Sequence, residues 1–450
     1  MYRYMQLMNN LEELIAATPY KDGHKLPSIR TLASQYACSK STIIKALEEL
    51  EKRHLIYAMP KSGYYVVKGI ISADDSTGSL LDFAQTAPDP ALFPYLDFQH
   101  CINKAIDTYQ KDLFLYGTAK GMDSLIEIAR KQLTSYQVFA AEQHVIIVSG
   151  IQQALSLLAA MPFPNGKSQI LIEQPGYHLF ISYLETRRLP VIGIERSHEG
   201  LDFDRLETLF RTGDIKFFYT MPRFHNPLGC SYTRKEKQLL ARLAAKYDVY
   251  IVEDDYLADF EQDSKADPIY AYDSSSHVIY LKSYSKIIFP GLRIGIAVLP
   301  DSLTKPFREY KRQNDIDSSM LSQAALEIYL RSGMFERHRS RIRDRYAARA
   351  ALLDSALTRE ASAGGGAFMY IRPEQPMVRT HILLDPSLSE ASTISRLQQE
   401  SILLQSIEPD YLSGFPRKNL LKLNVTNVKE DRIEEGIGRI IGLIAQSARK

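Results

Sequence analysis

Lys286 closes the segment Lys282-Ser283-Tyr284-Ser285-Lys286, which follows the apolar run Val278–Leu281. A lysine at a strand end can form a Schiff base with an aldehyde, and a nearby positive charge lowers its pKa so that the neutral amine is available. Arg293 follows seven residues later, inside Pro290-Gly291-Leu292-Arg293-Ile294-Gly295. An arginine close to such a lysine can hold a phosphate through two parallel hydrogen bonds.

Four further segments carry polar chemistry at the end of an apolar run. Tyr250–Glu253 leads into Glu253-Asp254-Asp255-Tyr256. Carboxylates gathered there are costly to bury without a cationic partner. A protonated pyridine nitrogen is one such partner and a metal ion another. No His or Cys lies close by to complete a transition-metal set, which leaves magnesium as the metal alternative. Lys216–Met221 leads to Asn226-Pro227-Leu228-Gly229, where the asparagine can donate to a phenolate oxygen. Ser168–Glu173 leads to Gln174-Pro175-Gly176-Tyr177, and a tyrosine on a tight turn can lie flat against a planar ring. Val145–Ser149 leads to Gly150-Ile151-Gln152, a glycine turn that opens a helix and offers free N–H groups to an anion. No GxGxxG occurs, so the dinucleotide fingerprint is absent.

These segments sit on apolar runs that alternate with helix-period patterns over residues 81–450, the signature of an α/β domain. Residues 69–80 are small, polar and turn-rich and read as a linker. Residues 1–68 form a separate helical module. Leu7, Leu11, Leu14 and Ile15 recur at helical spacing. Ser28 can cap a second helix with Ile29, Leu32, Ala33 and Tyr36 on one face, and after a break at Ala37 and Cys38 a third begins near Ser39 and buries Ile43, Leu47 and Leu50. Two short helices joined by a tight turn make a helix-turn-helix candidate. The third helix opens with Ser39, Lys40, Ser41 and Thr42 and adds Lys45, hydroxyls and cations suited to phosphate and base-edge contacts. Two β-rich runs then flank Pro60-Lys61-Ser62-Gly63, a hairpin signal that would place Lys61 at the tip of a wing.

Composition is compatible with this reading. The chain has 450 residues and a net charge of only +2, but residues 1–68 hold ten Lys and Arg against six Asp and Glu. The basic excess lies in the small module and the remainder is slightly acidic, a weak pointer to phosphate binding at the N-terminal end. Cys38, Cys101 and Cys230 are far apart and in no metal spacing, as expected for thiols in a reducing cytoplasm. No apolar run approaches the roughly 18 residues of a membrane helix, and the first residues do not form a signal peptide. A cytoplasmic protein is expected.

The segment LPSIRTLASQYACSKSTIIKALEELEKRHLIYAMPKSGYYV closely resembles the GntR winged-helix domain. That resemblance implies DNA contacts from Arg30, Ser39, Lys40, Thr42 and Gly63, with Lys45 and Lys61 beside them. The ordered set of Gly loop, Asn-Pro, Asp with Tyr, and Ser-x-x-Lys with Arg resembles the fold-type I aminotransferases over residues 81–450. The two together resemble the MocR subgroup of GntR regulators. The implied cofactor is pyridoxal 5'-phosphate, with Lys286 forming the internal aldimine, Asp254 on the pyridine nitrogen, and Tyr256 and Asn226 on the phenolic oxygen. Tyr177 would stack on the ring, and Ile151, Gln152, Ser283, Ser285 and Arg293 would surround the phosphate. Tyr116 resembles the tyrosine that reaches the phosphate of a neighbouring subunit, which implies a homodimer. By the same resemblance the Asn226–Pro227 bond is expected to be cis.

Two departures bear on function. Lys422, in Leu421-Lys422-Leu423-Asn424-Val425, stands where aminotransferases use an arginine to grip the substrate's α-carboxylate, and a lysine offers a point charge instead of a planar fork. Ile151 supplies no hydroxyl to the phosphate. Both favour a regulator that senses pyridoxal phosphate, or an amino compound reacting with it, over an active aminotransferase with an accessory DNA module. A third reading, a DNA-binding protein whose large domain serves only for dimerisation, is opposed by the presence of Lys286, Asp254 and Arg293. With the arginine missing, the expected signal is pyridoxal phosphate itself and the expected targets are genes of vitamin B6 supply.

Overall fold

The structure is a computed structural model. It describes residues 7–8, 10–11, 25–52, 55–59, 62–66, 80–263, 266–362 and 366–448. The chain divides into two compact units, Met1–Ser79 and Leu80–Lys450. Leu14, Ile15, Lys61 and all but Leu80 of the expected linker lie outside the described residues.

In the N-terminal unit, helix α1 spans Ile29–Gln35 and α2 spans Lys40–Lys52. The side chain of Ser28 caps α1 by accepting from the Thr31 N–H at 3.2 Å. Ser39 does the same for α2 through the Thr42 N–H. Strands β1 (Ile56–Met59) and β2 (Gly63–Val66) pair antiparallel with Ile56 opposite Val66, and Tyr57 stacks on Tyr65. Leu7, Leu11, Leu32, Ile43, Leu47, Leu50, Ile56 and Val66 share one small core. The expected apolar faces of α1 and α2 thus close on a two-stranded wing.

The large unit is built on eight strands: β4 (Val145–Val148), β5 (Gln169–Gln174), β6 (Val191–Ser197), β7 (Gly200–Leu201), β8 (Ile215–Thr220), β9 (Tyr250–Asp254), β10 (Val278–Ser283) and β11 (Gly295–Val298), in the order β4-β11-β10-β9-β8-β5-β6-β7. The pairs from β10 through β6 are parallel, while β11 runs antiparallel to both neighbours. Alternate side chains enter different cores: Phe217 and Tyr219 pack on one face of the sheet and Phe218 on the other. Both faces are covered, which is why these strands read as nearly continuous apolar runs.

A smaller lobe completes the unit. Strand β3 (Leu81–Asp82) pairs parallel with β14 (Ile402–Leu403). Strands β12 (Phe368–Met369), β13 (Arg379–Leu384) and β15 (Leu420–Asn424) form an antiparallel sheet in the order β12-β13-β15. Residue 379 lies opposite 424 and residue 381 opposite 422, so Arg379, His381, Lys422 and Asn424 share one side of that sheet. Among the described residues no helix is long and apolar enough to cross a membrane.

Candidate functional site

In a parallel sheet the carboxyl ends of the strands open a crevice for ligands. Here the loops after β4, β5, β8, β9 and β10 meet residues 83–86 and the β13–β15 sheet around a cavity of about 300 Å³. Its lining includes Ile151, Gln152, Tyr177, Asn226, Asp254, Tyr256, Ser283, Ser285, Lys286, Arg293 and Lys422. All eleven of these residues were expected in one site. Tyr116 is not among the lining residues and is 83% exposed on this chain's surface.

Lys286 sits just beyond β10. Its Nζ donates to the backbone oxygen of Thr86 at 2.8 Å. Burial, and after it the charge of Arg379, pulls its pKa down to about 7. The neutral amine needed for attack on an aldehyde is therefore present near neutral pH.

The three carboxylates at the carboxyl end of β9 diverge. Glu253 accepts from the N–H groups of Ile269 and Tyr270, and Asp255 is held by Arg223 and the hydroxyl of Tyr280. Asp254 alone faces the cavity. Its Oδ2 accepts from the Tyr219 hydroxyl at 2.9 Å, while Oδ1 is buried with no partner. Burial lifts its pKa to about 7, against the Tyr219 hydrogen bond and with the help of Asp255. Beside it, Tyr256 donates to the Phe224 oxygen, and burial raises its pKa to about 12. Tyr177 opens the helix His178–Thr186, and burial likewise raises its pKa to about 12.

Gly150 caps the helix Ile151–Ala160 at φ +86, a conformation that favours glycine. A Cβ there would lie 2.8 Å from Nη2 of Arg293, which itself donates to the Ser149 oxygen at 3.1 Å. The turn and the arginine thus approach each other only because residue 150 has no side chain. The loop that carries Asn226 is held from below by Glu173, which accepts from Arg196 at 3.0 Å, from the Met221 N–H and from the Tyr232 hydroxyl. The Asn226–Pro227 bond is cis, as is Gln174–Pro175.

Lys422 reaches the cavity from β15, but its ammonium pairs at 2.5 Å with Oδ2 of Asp410, a carboxylate only 1% exposed. The expected carboxylate anchor is therefore already charge-compensated. A further cation, Arg379 at the start of β13, also lines the cavity and was not anticipated. Tyr219, Thr86 and Asp410 were missed as well. The one signal available for Tyr219 was a hydroxyl aromatic immediately before the strand's polar last residue, Thr220.

The comparisons agree with this architecture. A model of aminotransferase class I and II matches residues 92–440, and one of the gntR family of bacterial regulatory proteins matches residues 3–66. The uncharacterized HTH-type transcriptional regulator YcxD of Bacillus subtilis is 57% identical over 97% of this chain and 98% of its own length. The chain belongs to the MocR-type GntR regulators. Aromatic-amino-acid aminotransferase 1 of Thermococcus litoralis is 26% identical over 83% of this regulator and 90% of its own chain. Among solved structures, kynurenine aminotransferase from Pyrococcus horikoshii superposes with a TM-score of 0.74 at 27% identity, covering 83% of this chain and 92% of that one. The large unit thus has the fold-type I architecture, and that fold implies dependence on pyridoxal phosphate. The residues present fit such a group: Asp254 offers a buried, unpartnered oxygen for a protonated ring nitrogen, and Gly150 keeps a cradle clear beside Arg293.

In the N-terminal unit Arg30, Ser39, Lys40 and Lys45 are exposed, and Thr42 and Gly63 are half-buried. Ser39 is engaged as the cap of α2, with its hydroxyl also bonded to those of Ser41 and Thr42.

Proposed function

We propose that this regulator is a homodimer that holds pyridoxal 5'-phosphate on Lys286, binds double-stranded promoter DNA, and changes its DNA occupancy with the cofactor or with an amino compound that reacts with it. The cofactor, when bound, supplies a reactive aldehyde on a ring that can draw in electrons. Lys286 offers the amine for that aldehyde. Asp254 keeps a proton on the ring nitrogen, and Tyr256 and Asn226 hydrogen-bond the phenolic oxygen. Tyr177 covers the ring face. Ser283, Ser285, Arg293 and the N–H groups of Ile151 and Gln152 hold the phosphate, joined by Tyr116 of the partner subunit. The exposed apolar run Phe114-Leu115-Tyr116 supports the homodimer. Arg30, Ser39, Lys40, Thr42, Lys45, Lys61 and Gly63 face DNA. The proposed boundaries are residues 1–68 for the DNA-binding domain, 69–80 for the linker and 81–450 for the cofactor domain, in a cytoplasmic protein.

The observation that carries this reading is the buried, unpartnered Oδ1 of Asp254 in the same cavity as a lysine amine with a pKa of about 7. A cationic ring with an aldehyde satisfies both groups. The test is footprinting on promoter DNA with and without pyridoxal phosphate and amino acids, alongside the visible absorption of the loaded protein. A band that forms with cofactor and is lost in Lys286→Ala supports the reading. No band with added cofactor, or DNA occupancy indifferent to both cofactor and amino acids, overturns it.

The second reading, an active aminotransferase with an accessory DNA module, is favoured by the same depressed lysine. Steady turnover of an amino-acid and keto-acid pair would establish it.

A further inference from the structure

We propose that Arg379, and not Lys422, binds the effector's acid group, and that the effector is an amino compound with a carboxylate on the carbon that bears its amino group. The inference rests on the reading of Lys286 as the cofactor lysine.

Lys422 is poorly placed for the task in energetic terms. Its partner Asp410 is buried, and the other oxygen of Asp410 faces Nδ1 of His178 at 3.6 Å. Drawing Lys422 onto an external carboxylate would take from the buried Asp410 its ammonium partner and leave it only the longer contact to His178, which is unfavourable. Together Lys422 and Asp410 present no net charge to the ligand.

Arg379 differs in each respect. Among the described residues no carboxylate lies within ion-pairing distance of its guanidinium. Nη2 donates to the backbone oxygen of Thr86 at 2.9 Å, Nη1 donates to the Tyr256 hydroxyl at 3.5 Å, and the guanidinium lies 5.8 Å from that tyrosine's ring. The Lys286 amine donates to that same Thr86 oxygen. Amine and guanidinium therefore meet on a single acceptor, about the spacing that the amino and carboxylate groups of one α-amino acid can bridge. The incoming nitrogen would form the C–N bond that Lys286 gives up and pass its proton to the departing lysine, with no change of oxidation state. The carboxylate would take the place of the Thr86 oxygen on the arginine fork, which suits a planar two-oxygen acceptor better than an ammonium does. The backbone is arranged for this residue as well. Gly229, at φ +74, lies where a Cβ would come 2.9 Å from the Arg379 oxygen, so the loop that carries Asn226 can seat the start of β13.

The departure at Lys422 thus does not remove acid recognition from the site. It moves it to the neighbouring strand, and with it the expected signal moves from the cofactor alone to an amino acid.

The test uses the full-length, cofactor-loaded protein and two probes that differ only by the α-carboxylate, L-2-aminobutyrate and propylamine, titrated by the shift of the visible band. The wild type is expected to prefer the amino acid by about 10- to 100-fold, the scale of a charge-assisted hydrogen bond. Arg379→Gln should bring the two probes to within about threefold, and Arg379→Lys should recover part of the preference. The paired change Lys422→Gln with Asp410→Asn, which strands no buried charge, should retain it. An intact band and intact DNA binding show that each variant is folded. No preference in the wild type, or one that survives Arg379→Gln or vanishes in the paired variant, overturns the assignment while the cofactor reading stands. Absence of the band from the wild type overturns both.

Discussion

The Tyr219 hydroxyl donates to Oδ2 of Asp254 at 2.9 Å, and the second oxygen of that carboxylate is buried without a partner. A carboxylate kept half-satisfied in this way is a cost to the cofactor-free fold. Asp254 retains its proton in the folded chain up to about pH 7, whereas the ordinary value is 3.8. The folded state therefore binds the extra proton between those values, so stability falls as pH rises through that window and the cost is complete above it. Asp254→Asn should raise the Tm of the cofactor-free protein more at about pH 8 than at about pH 5, as read by scanning fluorimetry, while weakening cofactor uptake. Equal shifts at the two pH values would show that the Asp254 carboxyl is not raised above its ordinary range and is already ionised at pH 5 in the empty site.

The amine of Lys286 predicts a second pH dependence. Its pKa of about 7 means that the unprotonated nucleophile accumulates through neutral pH and not near the ordinary 10.5. The rate of cofactor uptake, followed as growth of the visible band in stopped flow, should rise with a midpoint at about 7. Arg379 contributes to the depression, so Arg379→Gln should move that midpoint upward. A wild-type midpoint close to 10 would mean that the amine is solvated in the working protein.

Gly150 offers a test of the phosphate cradle. Its φ of +86 strains any other residue, and an added Cβ meets Arg293 at 2.8 Å. Gly150→Ala should loosen cofactor retention by about tenfold or more, measured as cofactor remaining after gel filtration. Gly166 also has a positive φ, +67, but opens onto empty space. Gly166→Ala therefore reports backbone strain alone and should leave retention unchanged. Equal losses in the two variants would trace the effect to general destabilisation.

Much of the cavity was legible because its residues sit on local punctuation. A glycine turn, an Asn-Pro step, a carboxylate cluster and a lysine each follow an apolar strand, and strand ends in a doubly covered sheet converge. Arg379 had no such signal. It begins a short strand of the smaller lobe, and only the tertiary fold brings it near Lys286, on the Thr86 oxygen some three hundred residues earlier in sequence. Lys422 was recognisable as a departure, but its partner Asp410 approaches from a separate short 3-10 turn, so the loss of its free charge was not. In the small unit, apolar spacing and Ser28 were sufficient to place α1 and α2, because both the cap and the buried face are local properties.

The DNA-facing assignments make the last prediction. Arg30 and Lys40 are exposed near the N-terminal ends of α1 and α2, where backbone N–H groups and side-chain cations can meet phosphates together. A lysine on a phosphate contributes through counterion release, so its removal weakens binding to all sequences and lowers the dependence on salt. Lys40→Ala should reduce the slope of log K against log salt by about one unit and weaken specific and nonspecific DNA alike. Arg30→Ala, if that side chain reads a base edge, should cost about 1–3 kcal/mol on the cognate site and far less on unrelated DNA. Fluorescence anisotropy at several salt concentrations separates the two patterns. Both variants should keep the visible band unchanged, since neither residue lines the cofactor cavity. A full-strength salt slope in Lys40→Ala would place the phosphate contacts elsewhere on the unit.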